Sequence, residues 1–486
     1  MANVTETAPL RPGRAGIGGP SREADLRLPL IATLYLCSLV LPMTVAVGPV
    51  ILSMYRLVLL LAFVPLALNW IMGRYDRVYL ADLMLLGFVV WYMLAMFVHH
   101  GSWAIEAGGQ NAVDAFGAYL LARASVRSAA QFRAMVKYLV LAVLFTLPFA
   151  VYEALTAVPI LNQILANIPG VNVHPNMDTG GRLGLDRVQG PFEHPILYGV
   201  FCASVLSLAY LVRGSVPSAG VAVFGGFLSL STGALMAMMV QIGLLGWNWI
   251  TRSIRARWKL LLALTVLGYI VIDLLSNRSP VQVLITYATL NSATGYWRLA
   301  IWEHGSQNVL NNPLFGIGFN DWVRPAWMIS GSVDNFWLLI AMRSGLPGVI
   351  LMIGGFFLAI RGVARVKAPA DSALVQCQRA WLITLVAVFL AICTVHVWNG
   401  TYSFLFFLIG AGVWMIGAET DDAAPAAAAA PELRGHLRQS APRPPAPEPA
   451  ASAPPAPDPV APGTPEALAR ARARRATAPR GGPKRR

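Results

Sequence analysis

Apolar stretches of about 20 residues recur along most of the chain, separated by short polar or basic connectors. A stretch of that length, when helical, crosses the hydrocarbon core of a bilayer. The pattern therefore predicts an all-α fold, a polytopic membrane helix bundle with about twelve spans. The spans are predicted at residues 28–47, 50–72, 78–98, 109–126, 134–157, 194–213, 217–231, 232–250, 258–276, 336–361, 378–397 and 402–418.

Positive charge alternates between the connectors. Every second connector carries Lys or Arg, and those in between carry few cations. Because Lys and Arg favour the cytoplasmic side of a membrane, the alternation predicts that both termini are cytoplasmic. It also places two long connectors, residues 158–193 and 277–335, on the outer side. The basic connectors are residues 11–27, 74–77, 123–137, 252–259 and 361–367, together with Arg213.

Both ends of the chain differ from the apolar region, residues 28–418. Residues 1–27 are polar and basic, which predicts a cytoplasmic segment and not a cleavable signal peptide. Residues 419–486 are rich in Ala, Pro and Arg. Because such a segment has too little apolar surface to offset its ordering entropy, we expect a disordered cytoplasmic tail.

Composition supports the membrane class. Charged residues make up 12% of the chain, about half the ~25% usual for soluble domains, and hydrophobic residues make up 56%. The net charge of +14 lies largely in the tail and the connectors. That distribution fits membrane orientation and argues against a nucleic acid partner. The four cysteines are scattered and form neither a metal-ligand spacing nor a disulfide framework.

The two long outer connectors contain the candidate chemistry. Arg182, Arg187 and Arg298 lie there, against the expected shortage of cations on that side. A guanidinium is planar, permanently charged and rich in donors, which suits phosphate and pyrophosphate. The alternative is that each arginine pairs locally with a neighbouring carboxylate such as Asp186 or Glu303.

Other polar residues at the ends of the spans are open to two interpretations. His194 is either a site residue or a histidine satisfied at the membrane interface. Glu153, near the outer end of a span, is a functional candidate because a carboxylate at that depth is costly, although a partner arginine would also explain it. Asp334 precedes an apolar stretch, so it is either a reactive carboxylate or an ordinary helix N-cap.

Four segments in order resemble the O-antigen ligase and polysaccharide polymerase superfamily of bacterial inner membranes. The resemblance spans about residues 28–418. Thr232 stands where many relatives carry arginine, and Asp334 stands where ligases of the family carry histidine. The aspartate is more similar to the exopolysaccharide polymerase branch. The segments are Arg187-Val-Gln-Gly-Pro-Phe-Glu-His-Pro, Arg298-Leu-Ala-Ile-Trp, Asn312-Pro-Leu-Phe-Gly-Ile-Gly, and Asp334-Asn-Phe-Trp-Leu leading into Arg343-Ser-Gly-Leu-Pro-Gly.

The resemblance implies a transferase that acts on an undecaprenyl-pyrophosphate-linked glycan in the inner membrane. Arginines would stabilise the leaving pyrophosphate, so neither a metal nor a cofactor is expected. Membrane lipids and other polysaccharide export proteins are the further partners it suggests. The expected catalytic residues are Arg187, Arg298 and Asp334, and the expected substrate-binding residues are Arg182, Glu193, His194, Glu303 and Asn335.

Three functions remain in competition. We favour a polymerase of glycan repeat units over a ligase that transfers glycan to the lipid A core. A lipid-linked-glycan transporter or flippase would place polar residues and helix breaks near mid-membrane, in repeated halves. The sequence shows no convincing internal repeat. A purely structural scaffold would not explain two long outer connectors that carry arginine.

Overall fold

The computed structural model describes residues 27–48, 50–177, 180–277, 283, 292–369 and 372–421. The predictions for residues 1–26 and for the tail beyond residue 421 lie outside these ranges. The predicted fold class is confirmed, since the described chain is mostly helical with little sheet. In these ranges nine helices are long and apolar enough to cross a membrane: Met54–Ile71, Leu80–Ser125, Ala129–Thr156, Pro195–Arg213, Thr232–Ile250, Arg257–Leu275, Phe336–Arg365, Ala373–Ala391 and Asn399–Ala418.

The difference from twelve predicted spans has three sources. The span predicted at 28–47 is only a short helix, Leu30–Ser38. The span predicted at 217–231 is a 13-residue helix, Val216–Leu228. Those predicted at 78–98 and 109–126 lie in one helical stretch, Leu80–Ser125. That stretch is interrupted at Gly101, where φ is 59° and ψ is −144°.

The interrupted stretch folds back on itself. Its second arm consists of Ala104–Ala112, a π-helical turn Val113–Gly117, and Ala118–Ser125. A Cβ added to Gly108 would lie 3.3 Å from Cγ of Met93 in the first arm, Leu80–His100. The two predicted spans therefore correspond to two packed arms joined by a tight turn.

A small antiparallel sheet replaces the second half of the first predicted span. Met43–Val47 pairs on one side with Val50–Ser53 and on the other with Val171–Val173. Pro42 cannot continue a helix, and the β-branched residues that follow favour an extended chain. An apolar run shows the same hydropathy in a helix and in a strand, which is why the prediction of a helix there was wrong.

The bundle has a buried centre and a lipid-facing periphery. In the most apolar 18-residue window of Pro195–Arg213, 83% of the residues are buried. This helix packs against its sequence neighbour Val216–Leu228 and against Ala373–Ala391. Arg257–Leu275, by contrast, has no buried residue at all. Its exposed leucines would be costly in water but are at home in hydrocarbon. The structure is thus that of a multi-pass membrane protein.

Two helices frame the functional region. Ser292–Asn311, here called the loop helix, lies within the long connector 277–335. Phe336–Arg365, the broken helix, is interrupted at Gly345, where φ is 71° and ψ is −177°. A further short helix, Ile160–Ala166, lies in the connector 158–193. The last membrane stretch consists of Asn399–Gly410 and the start of Trp414–Asp421.

Candidate functional site

A cavity of about 630 Å³, here called the main cavity, opens where both long connectors meet the ends of the helices. Its walls come from five separate parts of the chain. They bring together five of the residues predicted from the sequence, Arg182, Arg187, His194, Arg298 and Asp334. The other lining residues are Met177, Ile196, Ser231, Thr232, Gly331, Ser332, Val333, Leu339, Arg343, Val395, His396 and Trp398.

Arg187 and Arg298 face this cavity without partners. The Nε atom of each is buried and has no hydrogen-bond acceptor, and Arg298 is only 9% exposed. Among the described residues, neither guanidinium lies within 4 Å of a carboxylate oxygen. The local ion pairing considered as an alternative is therefore not present for these two. Buried donors without acceptors are costly, so this geometry favours the binding of an anion that accepts from both guanidiniums.

Burial also changes the titration of these two side chains. It lowers the pKa of Arg187 to about 10, with repulsion from Arg182 as a smaller cause and attraction to Asp334 acting in the opposite direction. The pKa of Arg298 is lowered as well, again mainly by burial. Both guanidiniums stay charged at neutral pH, and the burial cost would be relieved by a bound phosphate.

Arg182 lies on a tight turn that reaches toward the turn at Thr232. The Arg182 N–H donates to the carbonyl of Leu185 across the turn, and Leu183 and Gly184 have positive φ values of 55° and 78°. This is the geometry of a type I′ turn. The Nη1 atom of Arg182 donates to the carbonyl of Leu230 at 2.9 Å and to Oγ1 of Thr232 at 3.4 Å. A guanidinium is therefore held beside Thr232.

Asp334 is the one carboxylate among the described residues that line the main cavity. Burial raises its pKa, and Arg298 and Arg187 oppose that rise less strongly. Asp334 is not the helix cap. The cap of the broken helix is Asn335, whose Oδ1 accepts from the N–H of Leu338 at 3.0 Å. The N-cap interpretation of Asp334 is thus wrong, and its carboxylate is left to the cavity.

His194 lies at the start of the helix Pro195–Arg213. Its Nδ1 accepts from the N–H of Ile196 at 3.1 Å, so a neutral His194 carries its proton on Nε2. Burial, assisted by Arg187, lowers its pKa to about 4. In the cavity His194 is consequently a hydrogen-bond donor and not a base.

Three further predicted residues lie away from the main cavity. Glu193 accepts from Nδ2 of Asn399 at 3.0 Å and lies 3.4 Å from Nε2 of His174. Asn335 is occupied by its cap. Glu303 is exposed on the loop helix and is not among the lining residues. The substrate-binding roles predicted for these three stay predictions, although Asn335 lines a small cavity together with Arg298 and Asp334.

Glu153 acts as an anchor for the loop that carries Arg187. Its two carboxylate oxygens accept from the N–H groups of Gln189 at 2.7 Å and Gly190 at 3.2 Å. The side chain of Gln189 in turn binds the N–H of Met177 and the carbonyl of Pro175. This explains a carboxylate at that depth without a partner arginine.

Arg343 is a cavity residue that was not predicted as functional, and the glycine-rich segment after Asn312 holds it in place. The N–H groups of Ile317 and Gly318 donate to the carbonyls of Met342 and Arg343 at the break in the broken helix, at 2.7 and 3.1 Å. A Cβ at Gly345 would collide with the carbonyl of Leu314. The segment therefore satisfies the backbone carbonyls that the break leaves without helical partners, and the break positions Arg343 at the cavity.

His396 was missed as well, because it falls at the end of a predicted span. A histidine inside an apolar stretch is a functional candidate by default, and that signal was available. Its ring stacks on Phe336, with centroids 5.9 Å apart, and on Trp398, at 5.4 Å. Burial, with a smaller effect of Arg343, lowers its pKa to about 3, so the ring is neutral.

A second cavity of about 280 Å³ adjoins the main one. The two share Arg343, His396 and Trp398 as a common wall. At its base, Arg56 binds Asp114 through two nitrogens, with Nε 3.0 Å from Oδ1 and Nη2 2.6 Å from Oδ2. Asp114 lies in the π-helical turn, a feature often found at functional sites. This pair explains how a predicted span tolerates Asp114.

Comparison with known proteins adds one match. Residues 217–353 match a family model described as O-antigen ligase. The matched region contains Arg298, Asp334 and Arg343, whereas Arg182, Arg187, His194, His396 and Trp398 line the main cavity from outside it. A search of curated proteins found no significant match.

Proposed function

We propose that the protein polymerises glycan repeat units carried on undecaprenyl pyrophosphate, as a member of the O-antigen ligase superfamily whose family model matches residues 217–353. The family match supports glycan polymerase or ligase activity in a membrane protein. One observation carries the proposal: Arg187 and Arg298, whose buried Nε atoms have no acceptor, line the same cavity as Asp334.

In this proposal the main cavity binds the pyrophosphate of the donor. Four arginines and one carboxylate line it, which leaves a strong excess of positive charge. Arg187 and Arg298 have free donors for phosphate oxygens, and Arg182 and Arg343 add charge at the edges. The Nε2–H of His194 is a further donor. Positive charge that is fixed before the reaction stabilises a leaving group without reorganisation.

The reaction follows from the same groups. A hydroxyl oxygen of the acceptor sugar bonds to the anomeric carbon of the donor, and the bond from that carbon to the pyrophosphate breaks. The electron pair of the broken bond leaves with the lipid pyrophosphate, which the arginines stabilise. The hydroxyl proton passes to Asp334, directly or through one water, as general-base catalysis requires. The lowered pKa values of His194 and His396 make both weak bases, and Nδ1 of His194 is already occupied by the N–H of Ile196.

Two features support polymerase over ligase and inner membrane over other membranes. Asp334 stands where the resemblance gives ligases a histidine, and a carboxylate there is similar to the polymerase branch. The alternating basic connectors favour cytoplasmic termini, which would place the main cavity on the periplasmic side of the inner membrane. Lipid-linked repeat units and polysaccharide export proteins are the partners expected there.

Deletion of the gene, read out as a glycan profile, tests the proposal. A polymerase deletion should leave single repeat units and no long chains. A ligase deletion should instead leave finished polymer on the lipid carrier. Re-expression of the Arg187→Lys and Arg298→Lys variants, with protein abundance measured in parallel, separates loss of the site from loss of the protein. A normal glycan profile in the deletion strain would contradict the proposed function.

A further inference from the structure

We propose that the second cavity is the acceptor site and binds the terminal sugar of the incoming glycan as an uncharged, polyhydroxylated ring. This rests on the proposed function, which places the donor pyrophosphate in the main cavity. The lining residues that carry the argument are Gln110, Asn111, Trp398 and Tyr402.

The two cavities differ in charge. The main cavity has four guanidiniums against one carboxylate. In the second cavity Arg56 is neutralised by Asp114, and the remaining cation, Arg343, lies on the shared wall over the ring of Phe319 at 5.3 Å. The second cavity therefore has one net positive charge against three in the main cavity, and it is the poorer site for a phosphate. Its chemistry is that of amides, phenols and aromatic faces.

Free hydrogen-bonding capacity remains in that cavity. The Oδ1 atom of Asn111 is buried and has no partner, while its Nδ2 donates to the hydroxyl of Tyr402 at 3.1 Å. Among the described residues Gln110 makes no side-chain hydrogen bond. Amides both donate and accept, so they match sugar hydroxyls, which do the same. The faces of Trp398 and Tyr402 offer negative π-surfaces to the C–H face of a sugar ring.

The shared wall explains how an acceptor in one cavity reaches a donor in the other. His396 is stacked between Phe336 and Trp398, and its Nδ1 is buried without a partner. Phe336 lines the second cavity and follows Asp334 by two positions in the chain. A sugar held against Trp398 thus has one edge toward the main cavity, where the base and the leaving group lie.

Two probes separate the two cavities in an elongation assay with full-length protein in lipid vesicles. The substrate is the lipid-linked repeat unit extracted from cells that lack this protein. The first probe is the repeat oligosaccharide freed of its lipid pyrophosphate, and the second is inorganic pyrophosphate. For each variant the measurement is the probe concentration that halves elongation.

The Gln110→Ala, Asn111→Ala and Tyr402→Phe variants should each require about two- to tenfold more oligosaccharide, the effect of losing one hydrogen bond. Their sensitivity to pyrophosphate should not change. Arg187→Lys should show the reverse pattern. Tyr402→Phe keeps the ring, so it serves if the alanine variants fold poorly. The control Asn69→Ala removes a half-buried amide, bonded to Arg74 at the far end of the helix Met54–Ile71, and should change neither value.

Two results would overturn the inference, and they are distinguishable. Amide variants with unchanged oligosaccharide sensitivity, in a protein that elongates normally, would reject the acceptor site alone. Wild-type protein that elongates nothing from lipid-linked repeat units would reject the proposed function, and the acceptor site with it.

Discussion

Replacing Asp334 by asparagine removes the proposed base and little else. The amide has nearly the same size as the carboxylate and retains hydrogen-bonding capacity, but it does not accept the hydroxyl proton. The helix cap is not affected, because Asn335 makes that bond. Nor is a close ion pair broken, since among the described residues no arginine nitrogen lies within 4 Å of the Asp334 carboxylate.

The expected loss of rate follows from the role. A general base contributes about a hundred- to ten-thousand-fold, which corresponds to about 3–5 kcal/mol of activation free energy. Stability should not fall in parallel. Burial raises the pKa of Asp334 above its unfolded value, so the ionised carboxylate costs stability as pH rises from the unfolded pKa toward the folded one. A neutral amide avoids that cost, and at neutral pH the variant should be at least as stable as the wild type.

The assay measures elongation rate against pH together with thermal stability of the purified protein. A base must be deprotonated, so wild-type activity should be lost as pH falls through the raised pKa of Asp334. The residual activity of Asp334→Asn should lack that acid limb. Asp321→Asn is the matched control, because Asp321 lies on the same connector, is exposed, and contacts the N–H of Trp322 and the side chain of Arg324 outside the main cavity. The Asp321→Asn variant should keep the full elongation rate of the wild type.

Two outcomes would refute the reasoning. Near-normal elongation by a folded, inserted Asp334→Asn protein would exclude Asp334 as the base. A variant that loses activity only in proportion to a loss of thermal stability would show that the carboxylate is structural. Asn335→Ala provides the scale for such an effect, since loss of an N-cap costs about 0.5–2 kcal/mol.

Three further predictions test other parts of the argument. Arg187→Lys and Arg298→Lys keep the charge but lose the planar fork, so each should reduce elongation strongly at normal protein abundance. The control Arg324→Lys, at an ion pair with the exposed Asp321, should not. Equal activity in all three variants would argue against a pyrophosphate clamp. Gly345→Ala introduces a side chain at a φ of 71° and against a backbone carbonyl, so it should lower the melting temperature and the elongation rate together, and an unchanged melting temperature would contradict the role of the break. Removal of residues 425–486 should leave elongation largely intact in membranes, and a truncated protein that inserts but does not elongate would show that the tail is required.

Prediction from sequence worked where one physical rule dominates. Length and hydropathy identify most of the membrane helices, because the bilayer imposes both. The rule does not distinguish a helix from a strand, so the sheet at Met43–Val47 was read as part of a span. The break predicted between the spans 78–98 and 109–126 is present in the structure, as the interruption at Gly101.

The candidate site was accessible from sequence for a different reason. Arg187 and Arg298 violate the charge bias expected of connectors predicted to lie on the outer side, and such exceptions mark residues that topology does not explain. The structure places both in one cavity although they are far apart in the chain. Arg343 and His396 were missed because they lie where the hydropathy pattern shows only membrane. Their contribution depends on the break at Gly345 and on ring stacking, which are tertiary features.

The helix Arg257–Leu275 buries none of its residues, so its position depends chiefly on the surrounding lipid and little on packing against the bundle. Its 19 residues span about 28 Å, close to the hydrocarbon thickness. Its stability in the membrane therefore depends on its length and apolarity and hardly on the shapes of its side chains. Evolution can therefore exchange one apolar residue for another there almost freely. For the experimenter the same helix is a convenient handle, since a dye or a spin label on its outer face would report on the membrane without disturbing either cavity.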